Sequence, residues 1–324
     1  MTTDAKPVRE RRGRLMATAS DLPAAVAAAL AAPGDGTPGW VETEGTRWAT
    51  LSWGVTHDPP LLLLHGVTSN ARIWWRIGPA LAAAGYRVIA IDMPGHGRTQ
   101  SWRGRHPFEA TAEDVAGFVR AAGLERPDLA VVGHSWGSMV AARLPVAGLK
   151  PRVIVLLDPP ALTVAQFEVF VQDPGEQLYA TYRDAAAAMR AANPSWTDGD
   201  VAAKASGLTE FNPDAVLAVL LENGDWDAGL SAARVAHERG VPMWVIRGEW
   251  EAGCLIPDAL VPQLEAAFGR DHVITIRNAP HSPQRTHPEA TLVALMRALG
   301  TLATAANPEG PPTVQGAPSG SRSA

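Results

Sequence analysis

Through the middle of the chain, short runs dominated by apolar residues alternate with longer stretches in which apolar positions recur every three or four residues. The short runs fall at residues 48–53, 61–64, 88–91, 129–132, 153–157, 243–246 and 273–276. They are rich in leucine and β-branched residues, and most are bounded by Gly, Pro or Asp. Several are apolar throughout. A strand with no polar face is one covered on both faces, so these runs predict the strands of a parallel sheet. The longer stretches, at 77–84, 110–122, 257–268 and 288–302, carry the helical period and predict helices packed on both sides of that sheet. Between 161 and 235 the alternation stops, leaving only helical patterns cut by Pro174, Pro194 and Pro213. This stretch predicts a helical insertion between two strands, over the sheet's carboxyl edge, where open α/β sheets bind ligands.

The two ends differ in character. From Asn307 onward the residues are Pro, Gly, Ser, Thr and Ala with almost no large apolar side chains, too little to offset the entropy of ordering. The expected organisation is a partly disordered tail at 1–37, a core made of 38–160 and 236–304, an insertion at 161–235, and a disordered tail at 305–324. Arg9, Arg11, Arg12 and Arg14 precede an alanine-rich stretch at 24–32 in loose imitation of a secretion signal, but Asp21 and Pro23 intervene. The expectation is a cytoplasmic location, with a short helix following the tail.

Composition narrows the function classes. A net charge of -5 argues against nucleic acid or an anionic membrane as the main partner, since both call for a basic stripe. No apolar run is long enough to span a bilayer. Cys254 is the single cysteine, so no intrachain disulfide can form, and it reads as a small core filler. No zinc-ligand spacing, P-loop or dinucleotide-binding glycine pattern occurs, so neither a metal nor an organic cofactor is expected. Oligomeric state leaves no trace in the pattern.

The strongest chemical signal is Gly133-His134-Ser135-Trp136-Gly137, entered from an apolar strand and followed by a helical run at 139–149. A serine in a sharp strand-to-helix turn projects its hydroxyl above the sheet, and flanking glycines are needed where a Cβ would strike neighbouring backbone. The helix start behind it favours developing negative charge. The second signal is the run at 61–64 leading into His65-Gly66-Val67, a turn that can aim the Val67 N–H at a substrate oxygen. With the N–H of Trp136 it would form a two-donor oxyanion hole. His65 itself reads as a turn residue that can border the substrate, together with Gly66. Asn70 and Trp74, just beyond, either line the pocket or open a helix. A third signal, Asp92-x-x-Gly95-x-Gly97, follows another apolar strand as a tight loop.

The order of strand, His65-Gly66, strand, Asp92-x-x-Gly95-x-Gly97, strand and Gly133-x-Ser135-x-Gly137 resembles the α/β-hydrolase family, in particular its serine esterase and lipase-like members with a helical cap. The likeness runs over roughly residues 45 to 300, with 161–235 standing where that family carries a variable cap. It implies an α/β fold with a mostly parallel eight-stranded sheet, helices on both faces, and a triad in the order serine, acid, histidine. Ser135 is then the nucleophile and His281, in Pro280-His281-Ser282-Pro283 after the last strand, its base. Pro280 departs from the glycine usual there. The resemblance puts the acid after the strand that follows the cap, at Glu251, with Glu249 beside it and Asp158, after the preceding strand, as alternatives. Members that open epoxides or displace halides carry aspartate at the elbow, so serine directs this chain toward an acyl-enzyme and ester hydrolysis. Activity should then rise with pH as His281 loses its proton. A carbon–carbon bond hydrolase, a lactonase, an aminopeptidase and a non-catalytic ligand-binding protein share the same framework.

Overall fold

The computed structural model describes residues 22–99 and 106–301. The four N-terminal arginines and the C-terminal tail lie outside the described residues. Each of the seven apolar runs falls on a strand: β2 (Thr46–Trp53), β3 (Pro60–Leu64), β4 (Arg87–Ile91), β5 (Ala130–His134), β6 (Val153–Leu157), β7 (Met243–Arg247) and β8 (Val273–Thr275). An eighth strand, β1 (Thr37–Thr43), stands at the edge and has no apolar run to announce it. Pro38 and Gly39 sit in it, residues that a sheet tolerates at an edge, where burial contributes little and the ladder to β2 holds the strand.

The strands form one sheet in the order β1-β2-β4-β3-β5-β6-β7-β8. β1 and β2 pair antiparallel, as do β2 and β4, and the other pairs are parallel. Alternation along β3 divides the core. Leu62 and Leu64 face one apolar layer with α3 (Phe108–Ala121) and α4 (Trp136–Ala141), while Leu61 and Leu63 face the other with α1 (Ala24–Ala31), α2 (Ile77–Ala83) and α12 (Pro288–Ala298). All four leucines have no exposed surface.

Five helices lie between β6 and β7: α5 (Val164–Phe170), α6 (Tyr182–Ala192), α7 (Asp198–Gly207), α8 (Pro213–Leu221) and α9 (Leu230–Glu238). Two of the prolines expected to cut this segment instead begin its elements. Pro213 opens α8 behind Asn212, whose side chain caps the Asp214 and Ala215 N–H groups, and Pro174 opens a 3₁₀ turn, Pro174–Glu176. Proline is suited to the first helical turn, where its missing N–H would have no partner. Phe167, Met189, Val201, Leu208, Val219 and Trp226 join the same apolar layer as α3 and α4, so the insertion shares the core. α10 (Val261–Phe268) and α11 (Pro283–Thr286) complete the α-helices among the described residues. α4 is shorter than the run at 139–149 suggests: it ends at Ala141, and turns occupy the chain through Gly148. No helix among the described residues is long and apolar enough to cross a membrane.

Candidate active site

The residues singled out by the motifs stand at the carboxyl ends of parallel strands in one half of the sheet: His65 after β3, Ser135 after β5, Asp158 after β6 and His281 beyond β8. Ser135 has φ 54° and ψ -122°, a backbone state that costs a side-chain-bearing residue about 1–3 kcal/mol and must be held by its surroundings. The holding contacts are visible. Its N–H donates to Leu157 O at 3.0 Å, and Ser138 Oγ donates back to its carbonyl. Its neighbours cannot be larger than glycine. A Cβ on Gly133 would lie 2.1 Å from Gly137 O, and one on Gly137 would lie 2.5 Å from Leu64 O. Gly66 packs directly beside the serine, where a Cβ would come within 2.9 Å of Ser135 Cβ. The turn after β3 thus presses against the elbow, with Val67 and Ser135 on one cavity wall.

His281 is fixed from three sides. Its N–H donates to Gly253 O at 3.1 Å, its carbonyl accepts from His134 Nε2 at 2.9 Å, and its Nδ1 meets Asp158 Oδ2 at 2.7 Å. A carboxylate only accepts there, so Nδ1 carries the proton and Nε2 keeps its lone pair. Asp158 is fully buried, at φ 45°, and also accepts from the N–H groups of Gly248 (3.2 Å) and Leu255 (3.0 Å). Arg247 braces the loop that supplies those donors. Its guanidinium is buried, donates to Ile256 O at 2.9 Å and to Cys254 Sγ at 3.3 Å, and pairs with Asp258 at 2.6 Å. Cys254 is buried, and desolvation raises its thiol pKa, which suits a packing role.

The acid expected first, Glu251, lies elsewhere: it is exposed on the 3₁₀ turn Trp250–Ala252. Glu249 accepts from the Asn278 N–H at 2.9 Å, and the carboxylate that meets His281 is Asp158. The shift has a local cause. Residues 249–255 turn back over the end of β6, as the Cys254 N–H bonded to Glu249 O and the Leu255 N–H bonded to Asp158 show, so side chains at 249 and 251 point out of the site.

Three residues expected at the substrate are committed to the scaffold. His65 is fully buried: Nδ1 donates to Gly66 O at 2.7 Å and Nε2 accepts from the Met93 N–H at 2.9 Å, which occupies both ring nitrogens. Burial pulls its pKa down to about 4, so it is neutral at physiological pH. Asn70 caps the short helix Ala71–Trp74 and donates to Ser206 Oγ at 2.9 Å. Trp74 is buried in the layer below the sheet. The Asp92 loop is also structural. The Asp92 carboxylate accepts from the N–H groups of Ala71 (2.7 Å) and Arg98 (2.8 Å), and burial raises its pKa to about 6. The Trp136 indole packs on His96 with ring centroids 5.0 Å apart, and its side chain is fully buried.

Ser135, His281, Gly66 and Val67 line a cavity of about 260 Å³. The insertion supplies much of its apolar wall through Leu162, Phe167, Phe170, Leu220 and Trp226, and three charged residues (Glu176, Lys204 and Arg285) also face it. None of the insertion residues has a sequence signal of its own, since an apolar position in a helix looks the same whether it meets core or cavity. Arg285 was within reach of sequence reasoning, standing one helical turn beyond His281.

Residues 59–218 match a family described as "alpha/beta hydrolase fold". Epoxide hydrolase B of Mycobacterium tuberculosis is 41% identical over 85 residues, which are 26% of this chain and 23% of that protein. Pimeloyl-[acyl-carrier protein] methyl ester esterase of Klebsiella pneumoniae is 28% identical over 275 residues, 78% of this chain and 98% of that one. Among solved structures, E-2-(acetamidomethylene)succinate hydrolase aligns with a TM-score of 0.69 at 20% identity, covering 82% of this chain and 99% of that one, a likeness of fold. With its eight-stranded sheet, the serine elbow after β5 and this family match, the chain has the α/β-hydrolase fold.

Proposed function

We propose that the chain is a serine hydrolase that cleaves a small or medium carboxylic ester through an acyl-enzyme, with Ser135, His281 and Asp158 as its triad. The observation that carries this reading is the 2.7 Å contact between His281 Nδ1 and the buried Asp158, in a cavity that Ser135 also lines. Ser135 Oγ attacks the ester carbonyl as its proton passes to His281 Nε2. Asp158 holds the tautomer and stabilises the imidazolium. His281 then returns the proton to the leaving alcohol, and water repeats the sequence to release the acid. The N–H groups of Val67 and Trp136 hold the oxyanion, each worth about 3 kcal/mol in the transition state. Trp136 begins α4, and the leading N–H groups of a helix have no acceptor within it. Helices α5 to α9 act as the cap that sets substrate size.

A fluorophosphonate probe tests the reading directly. The expected result is one adduct, mapped to the peptide containing Ser135 and lost in Ser135→Ala and His281→Ala. Absence of labelling in folded wild-type protein would overturn the hydrolase assignment and favour a ligand-binding role.

A further inference from the structure

The cavity is apolar over most of its wall, but Glu176, Lys204 and Arg285 give it a charged side. Two of these charges cancel. Lys204 Nζ lies 2.5 Å from Glu176 Oε2 and also donates to Thr68 Oγ1 at 3.0 Å and Thr68 O at 3.2 Å, while the Thr68 hydroxyl donates to Glu176. The third charge has no such partner. Arg285 sits on α11 with its guanidinium 4.2 Å over the Trp196 ring, and among the described residues no carboxylate pairs with it. The neighbouring Asp200 is paired with Arg76 at 3.4 Å. Desolvation lowers the pKa of Arg285 against the opposing pull of the nearby Asp200 and Glu176 carboxylates, so its charged form still gains from a directly paired counter-ion.

We propose that the cavity selects esters whose acyl chain ends in a carboxylate, with Arg285 pairing with that carboxylate while Ser135 attacks the ester carbonyl. This rests on the serine-esterase reading above. A guanidinium offers paired N–H donors in the geometry a carboxylate accepts, and the apolar wall suits the methylenes between the two acyl groups. The cavity volume of about 260 Å³ favours a short half-ester of a dicarboxylic acid. A cationic substrate group would meet Arg285 and Lys204, and the one carboxylate on the cavity wall, Glu176, is already engaged.

The test compares the 4-nitrophenyl half-ester of glutaric acid with 4-nitrophenyl valerate, a matched chain without the acid, in wild type, Arg285→Met and Arg285→Lys. The ratio of their kcat/KM values should favour the half-ester by about tenfold or more in wild type and fall by about ten- to a hundredfold in Arg285→Met, through KM, with partial recovery in Arg285→Lys. Calorimetric titration of Ser135→Ala with glutarate should show binding that the added Arg285→Met removes. An unchanged ratio alongside normal fluorophosphonate labelling would overturn the anion site and leave the esterase reading standing. Arg285-dependent glutarate binding with neither labelling nor turnover would sink the esterase reading and support the anion site alone. Arg285-independence in both turnover and binding would overturn the proposal.

Discussion

At the scale of single residues, the proposed acid separates what a motif can locate from what it cannot. The elbow serine and the loop histidine are read from neighbours one or two positions away, because the backbone geometry that exposes them is local. The acid has only to reach His281 Nδ1, and either Asp158 after β6 or a glutamate after β7 could do so from an extended strand end. The folded loop decides, since it places Asp158 Oδ2 at 2.7 Å and leaves Glu251 exposed. Asp158→Asn should therefore lower kcat by about 10⁴, with the geometry kept and the tautomer lost, while Glu251→Gln stays within about threefold of wild type. Steady-state kinetics on any hydrolysed 4-nitrophenyl ester checks both. The reverse ranking would return the acid to the β7 loop.

At the scale of elements, the insertion is tied to the turn after β3 through Thr68. Thr68 is β-branched with φ 52°, a strained state, and the Lys204–Glu176 pair holds it from α7 and the 3₁₀ turn before α6. Lys204→Met should destabilise the protein by about 2–4 kcal/mol, because it strands a partly buried carboxylate, and the double variant with Glu176→Gln should recover part of that loss. Urea unfolding midpoints give the stability terms, and kcat reports whether the turn carrying Val67 shifts when Thr68 is released. Equal stability of the single and double variants would mean that the pair contributes nothing as a pair. The parallel strands β3 to β7 were legible because a strand buried on both faces has few polar positions to confuse its pattern, and β2, antiparallel to both neighbours, was marked by Trp48, Leu51 and Trp53. β1 was not, because an edge strand half in water is held by hydrogen bonds that any sequence can make.

At the scale of the whole molecule, four buried histidines are held as neutral rings, three of them packed around Trp136. His65 and His106 are pulled down to about 4, and His96 and His134 well below 6.5, by desolvation in each case. The unfolded chain protonates these rings near 6.5, so between about pH 6.5 and 4 it binds more protons than the folded chain, and stability falls as pH falls through that window. Asp92 opposes them: its carboxyl is raised to about 6, so the folded state takes up that proton first. Four rings against one carboxyl leave the net sign with the histidines. Thermal unfolding from pH 7 to 4.5 should show a progressive fall in Tm, and a flat profile would mean that these rings take protons without unfolding.

The sequence by itself determined the sheet-and-helix alternation, the place of the helical insertion, the elbow around Ser135 and the loop of His281. These depend on spacing along one strand and its next turn, and a glycine pattern or an apolar run encodes them without reference to the rest of the chain. Only the tertiary structure decided which carboxylate meets His281, that His65, Asn70 and Trp74 serve the scaffold, and that Lys204 is neutralised while Arg285 faces the cavity without a carboxylate partner. Each of those outcomes depends on residues tens of positions apart coming within a few ångströms, and a carboxylate or a cation carries no local mark of the partner it will find.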